Sequence, residues 1–207
     1  MRTSRSIGLL ALAVASLVAF ASGSAVALRA LAINPGGPIR AEGPVRVNEA
    51  LRVANIECEL VLTGMLVRQV PKMTNAPLGS LTRLEFRNCI ETFRRIPWIV
   101  TALVEPRMPA PVFYNTFLGT LPDITGILAT AQNVGIRLTN AERTVECLFR
   151  GNLPYLIYRS PGELKFNRKM FLPNRLNYFE GRGCRPEAFV EIEGILILEP
   201  AQEVTLV

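Results

Sequence analysis

The chain contains no histidine. That removes the commonest general base and transition-metal ligand, and with it any Ser-His-Asp or Cys-His nucleophile. Asp123 is the only aspartate, and Lys72, Lys165 and Lys169 are the only lysines. One Asp and scattered Glu make no alternating-acid calcium loop. A phosphate-cradling loop is missing too: Pro35-Gly36-Gly37-Pro38 has two glycines but no lysine behind them and no helical pattern after them. Beyond residue 27 the only serines are Ser80 and Ser160, both beside turn residues, and for a Ser-Lys dyad the lysine nearest Ser160 in sequence is Lys165. No cofactor motif is present, and no long stretch past the N-terminus carries a clean 3.6-residue apolar stripe.

What is present begins at the N-terminus. Arg2 and Arg5 precede an apolar run from Ile7 to Ala21, and Ala25-Val26-Ala27 fits the small-x-small cleavage rule. These are the parts of a secretory signal peptide in the right order, so residues 1–27 are expected to be removed on export. The core of roughly 15 residues is short for a membrane anchor. Elsewhere the longest apolar run, residues 96–104, is too short to span a bilayer. Cleavage after Ala27 leaves 180 residues, enough for one domain, and lowers the net charge from +6 to +4.

Cys58, Cys89, Cys147 and Cys184 all lie in the mature part. An even count in an exported chain points to disulfides. A zinc site is the alternative, disfavoured by the missing C-x2-C pair and missing His. Three pairings are open, and the sequential one, Cys58–Cys89 with Cys147–Cys184, is favoured. Loops of that span add about 3–4 kcal/mol each.

Residues 28–50 are rich in Ala, Pro, Gly and Arg and form an expected flexible lead-in, with one short strand near Val45 to Val47. A single β-sandwich domain is then expected over residues 51–207. Ala54-Ile56-Cys58-Leu60-Leu62 alternates with Asn55, Glu57, Glu59 and Val61, and Thr82-Leu84-Phe86 alternates with Arg83, Glu85 and Arg87. Strict alternation puts Cys89 on the arginine face, so a bulge or strand end is expected near Asn88. Val134-Ile136-Leu138 and Val145-Cys147-Phe149 alternate around Asn140-Ala141-Glu142, a hairpin signal. Pro106, Pro109 and Pro111 demand a non-helical link, and Gly194 is expected to bulge the last long strand. Many short strands between turn signals predict an all-β, disulfide-bridged antiparallel sandwich or barrel-like domain.

Ile56-Glu57-Cys58-Glu59, the run Gly119-Thr120-Leu121-Pro122-Asp123-Ile124-Thr125-Gly126-Ile127, Val145-Glu146-Cys147-Leu148 and residues 200–207 follow one another in an order that resembles a group of small, exported, functionally uncharacterised bacterial proteins. The resemblance implies export and β structure. It carries no activity and no site residues.

Three functions compete. The first is a non-enzymatic binding or structural protein, envelope-associated or extracellular, whose partner is an anionic envelope polymer or a protein. Its candidate anionic-ligand contacts are Arg83, Arg87, Arg94 and Arg95, interleaved with Phe86, Phe93 and Trp98. Arg168, Lys169, Arg175, Arg182 and Arg185 form a second basic group around Tyr178 and Phe179. A nucleic-acid partner is disfavoured because the arginines are spread along the chain rather than gathered in one stripe. The second is a glycan-active enzyme using Glu57 with Glu59, or Glu191 with Glu193, each pair on one strand face. Those faces are outward, where Glu is ordinary. The third is an effector or inhibitor of another protein, which needs an exposed apolar patch or protruding loop around residues 106–111.

Overall fold

The computed structural model describes residues 30–49, 55–159, 162–166 and 175–207. Thirteen strands run through them: β1 Ala30–Asn34, β2 Gly37–Glu49, β3 Asn55–Leu66, β4 Gln69–Pro71, β5 Ala76–Glu91, β6 Trp98–Ala102, β7 Ala110–Thr120, β8 Asp123–Asn140, β9 Glu146–Tyr158, β10 Glu163–Phe166, β11 Leu176–Arg182, β12 Phe189–Glu199 and β13 Glu203–Leu206. The fold is all-β and antiparallel, but the β-sandwich expected for residues 51–207 is instead one main sheet closed on itself as a barrel, because β8 pairs β9 as well as β6 and β7.

The ring closes through near-sequential pairings. β2 pairs β3, β3 pairs β5, and β5 pairs both β6 and β7, which also both pair β8. β8 pairs β9, β9 pairs β10 and β11, these pair β12, and β12 returns to β2. β6 with β7, and β10 with β11, therefore each act as one interrupted strand, and the barrel has eight strand positions. At that number the interior is just wide enough for side chains to fill. Leu60, Leu62, Leu78, Leu81, Ile127, Ile136, Phe149, Tyr155 and Phe166 fill it and are all but inaccessible.

The two ends differ. At one, β13, β1 and β4 form a three-stranded sheet whose Leu31, Ile33, Val70 and Val204 join the core. Its corner is tied by fully buried Gln202, whose Oε1 accepts the Gly36 N–H at 3.0 Å while its Nε2 donates to the Pro200 carbonyl at 2.7 Å. The other end carries both disulfides, on opposite sides of the ring: Cys58–Cys89 joins β3 to β5, and Cys147–Cys184 joins β9 to the segment just after β11. Trp98 is buried there beside Glu49 and the second bridge, with room for only about 10 Å³ between them. The disulfides fit an oxidising compartment. Among the described residues no helix is long and apolar enough to cross a membrane.

Several expectations are met in detail. The β3–β5 ladder slips between Glu57 and Glu59, Asn88 takes a left-handed φ of 51°, and Cys89 turns inward. Asn140 closes the β8–β9 hairpin, its Oδ1 accepting from the Val145 N–H at 3.0 Å and its Nδ2 donating to Thr144 Oγ1 at 2.7 Å.

Other expectations fail. Residues 30–34 and 37–49 of the expected flexible lead-in are strands, β2 being a central barrel strand. Gly43-Pro44 masks its alternation of Ile39, Ala41, Val45 and Val47. Pro44 is tolerated because the β2–β12 partners skip from Val45↔Gly194 to Glu42↔Ile197, so its missing N–H falls in a gap in that ladder. Gly194 makes no bulge. It permits close approach: a Cβ there would sit 2.5 Å from the Pro44 carbonyl oxygen. Residues 1–27, Ser160, Arg168 and Lys169 lie outside the described residues.

Candidate functional site

The expected arginine contacts do not converge. Arg83 and Arg87 stand on the outer face of β5 and both bind Glu85, at 2.7 and 2.9 Å. The Arg87 hydrogen bond, aided by the Arg83 charge, holds the Glu85 carboxyl below the usual carboxylate range against a smaller opposing effect of desolvation. Arg40–Glu42 and Arg46–Glu57 continue the network on β2 and β3, and Glu59 accepts from Asn88 at 2.9 Å. Four arginines (40, 46, 83, 87) face four glutamates (42, 57, 59, 85), so this wall carries no excess positive charge. Arg94 lies in the β5–β6 turn and pairs with buried Glu91 at 3.0 Å, while Arg95 is exposed beside it. Of the interleaved aromatics, Trp98 is buried, Phe86 packs against the core and Phe93 is exposed.

The Glu pairs are likewise engaged. Glu57 pairs with Arg46, and buried Glu191 pairs with Arg175 at 3.3 Å, whose guanidinium lies 4.1 Å from the Phe189 ring centroid. Glu193 accepts a long 3.4 Å hydrogen bond from Asn48. Neither pair lines the outer-wall groove beside residues 103–111. Among the described residues there is no cluster of three or more His, Cys, Asp or Glu able to hold a metal.

A wide concavity lies on the outer wall. A groove of about 600 Å³ runs between the loop that interrupts β6 and β7 and the strands β8, β9 and β11. Leu103, Met108, Pro109 and Pro111 form one side, Asn133, Gly135 and Gly151 the floor, and Arg150 and Phe179 the other side. The loop is anchored: the Leu103 N–H donates to the Gly135 carbonyl at 2.8 Å, and the Met108 N–H to the Glu105 carbonyl at 2.9 Å. Gly135 packs tightly under the loop: a Cβ there would lie 3.0 Å from Leu103 Cδ1, so the Leu103 side chain would have to give way.

Two β-bulges shape this groove. The β8–β9 register gains a residue between Ala131 and Val134, where Asn133 has φ 58°. The β11–β9 register gains one between Tyr178 and Glu180, which leaves Phe179 unpaired and turned outward, 54% exposed. Bulges concentrate beside functional sites because they re-aim a side chain. The Arg150 guanidinium lies 4.2 Å from the Phe179 ring centroid and fixes the ring by a cation–π contact. Opposite stands Met108, 68% exposed. Across the loop a second groove of about 470 Å³ includes Arg83, Phe86, Ile99 and Pro106 and shares Glu105.

Of the residues singled out in sequence, the structure brings Pro109, Pro111 and Phe179 together here, and Arg83 with Pro106 in the neighbouring groove. Arg182 of the second basic group instead donates to the Arg143 carbonyl at 2.5 Å. Arg150, Met108 and Asn133 carry no local signal that marks them in advance. Only the pairing of β9 with β11 puts Arg150 beside Phe179.

No family model, curated protein or solved structure matches the chain. The resemblance to small exported bacterial proteins therefore gains no support from comparison.

Proposed function

We propose that the protein is an exported, non-catalytic binding module that holds its partner in the outer groove between the 103–109 loop and the Phe179 bulge. One observation carries the reading: two bulges and an anchored loop converge on a groove that presents an exposed aromatic ring on β11 and an exposed Met on the loop. The barrel interior is filled, so ligand capture belongs on the surface. Export is supported by the signal-like residues 1–27 and by two disulfides. The engaged glutamates favour binding over glycan hydrolysis, and the balanced arginine–glutamate wall argues against an anionic polymer on β2, β3 and β5.

The test is fractionation of producing cells with the wild type and with Phe179→Ala and Met108→Ala. Wild-type protein should leave the cytoplasm without residues 1–27. It should be held in the envelope fraction, or elute above monomer mass from the medium, and either groove change should release it. Identical behaviour of wild type and both variants overturns the groove; an uncleaved cytoplasmic chain overturns export.

A further inference from the structure

We infer that the occupant of this groove is an extended polypeptide segment bearing an apolar side chain beside a basic one. The inference rests on the groove reading above and names its ligand class. Aromatic residues, Met and Arg are the types enriched at protein–protein interfaces, and all three line this groove as Phe179, Met108 and Arg150. Arg150 covers one face of Phe179 and leaves the ring half exposed, so an apolar side chain can be clamped between that ring and the Met108-Pro109 wall. Leu103 and the bare backbone of the glycine floor admit a chain lying along the strands rather than a side chain entering a deep hole.

The charge at the mouth selects the neighbour. Glu105 lines the groove, is exposed and takes part in no ion pair among the described residues. Arg107, at the tip of the same turn, does not line it. A carboxylate with no partner at the rim complements a Lys or Arg on the ligand and contributes to selectivity and encounter more than to raw affinity.

The probe is a displayed library of random twelve-residue peptides, selected on the disulfide-bonded mature protein, with a glycan array run in parallel. Peptides combining Pro, an aliphatic or an aromatic residue with an adjacent Lys or Arg should be enriched. Their binding should weaken about tenfold or more in Phe179→Ala. Glu105→Lys should shift the preference from basic to acidic neighbours, a reversal that loss of structure cannot produce. Peptides that bind Phe179→Ala and wild type alike, or keep their basic preference in Glu105→Lys, overturn the inference, as does failure to enrich any peptide. A glycan whose binding is lost in Phe179→Ala overturns the peptide occupant and leaves the groove standing. Loss of neither peptide nor glycan binding in that variant overturns both.

Discussion

Tyr155 is the residue whose replacement should make the protein more stable. It is fully buried, packs edge-on against Phe166 at 5.9 Å between centroids, and its hydroxyl is the one buried side-chain oxygen or nitrogen without a hydrogen-bond partner among the described residues. An unpaired buried hydroxyl costs about 1–3 kcal/mol in protein mutational data. Tyr155→Phe removes that cost and keeps the ring contacts. The void left by one oxygen, on the order of 10 Å³, costs only about 0.2 kcal/mol at about 24 cal/mol per Å³. The variant should therefore gain about 1–2.5 kcal/mol, read as a higher urea midpoint at pH 7 with an unchanged slope.

The same residue predicts a pH signature. Burial raises the Tyr155 phenol above its ordinary value. A raised folded-state value means that stability is intact below about pH 10, where the unfolded phenol is still protonated, and falls as pH rises further. The advantage of Tyr155→Phe should widen by about 1.4 kcal/mol per pH unit above that point. Tyr114, also raised by burial, is present in both proteins and cancels. A Tyr155→Phe protein less stable than wild type at pH 7, or with no widening in alkali, would refute the reasoning by showing that the hydroxyl is satisfied.

Replacing Cys147 and Cys184 together by Ser opens a loop with a sequence separation of 37 and should cost about 3–4 kcal/mol, measured by urea unfolding without reductant; an unchanged midpoint refutes it. Glu85 has a lowered folded-state value, so its contribution is present above the unfolded carboxylate range and is lost as pH falls through the folded value. Glu85→Gln should flatten the acid side of the stability–pH curve, and equal acid sensitivity in both proteins counts against the Arg83–Glu85–Arg87 network. Gly194→Ala places a Cβ 2.5 Å from the Pro44 carbonyl oxygen at the β12–β2 closure and should cost about 1–3 kcal/mol, seen as a lower thermal midpoint. A tolerated alanine would mean that the two strands separate there freely.

The parts of the fold legible in sequence are those where a local pattern conflicts with itself. Cys89 falls on the arginine face of a regular strand, and that conflict locates the Asn88 bulge. The Asn140 hairpin and the sequential disulfides are local in the same way. The closure of β12 on β2 is not, because it joins the two ends of the chain through outward-facing charges and a Gly-Pro pair that hides the alternation of β2. The 18 residues of β8 are hidden differently: the bulge at Asn133 shifts the alternation midway, so only Val134-Ile136-Leu138 reads as a strand. The candidate site lies in this less legible part. Phe179 resembles one more core aromatic in sequence, and Arg150 one more outward arginine.

The Phe179 bulge can be tested as an insertion rather than as a side chain. Tyr178 packs inward, edge-on to Phe149 at 6.3 Å, and is registered with it. After the extra residue, Glu180 is registered with Leu148 on the outer wall and Gly181 with Cys147 on the inner one. Deleting Phe179 therefore leaves Tyr178 inward, Glu180 outward and Gly181 inward, as regular alternation requires, with both flanking registers on β9 unchanged. The Cys147–Cys184 bridge keeps its strands. The folded state loses the Arg150 cation–π contact, worth about 0.5–1 kcal/mol at an exposed site, and the exposed hydrogen bond that the Tyr178 hydroxyl donates to the Gly181 carbonyl across the bulge. A deletion variant that is folded, bridged and within about 1 kcal/mol of wild type by urea unfolding, yet no longer held by the wild-type partner, is the expected outcome. A loss of several kcal/mol, or free thiols at Cys147 and Cys184, would show that the extra residue shapes the approach of β11 to its disulfide rather than the groove.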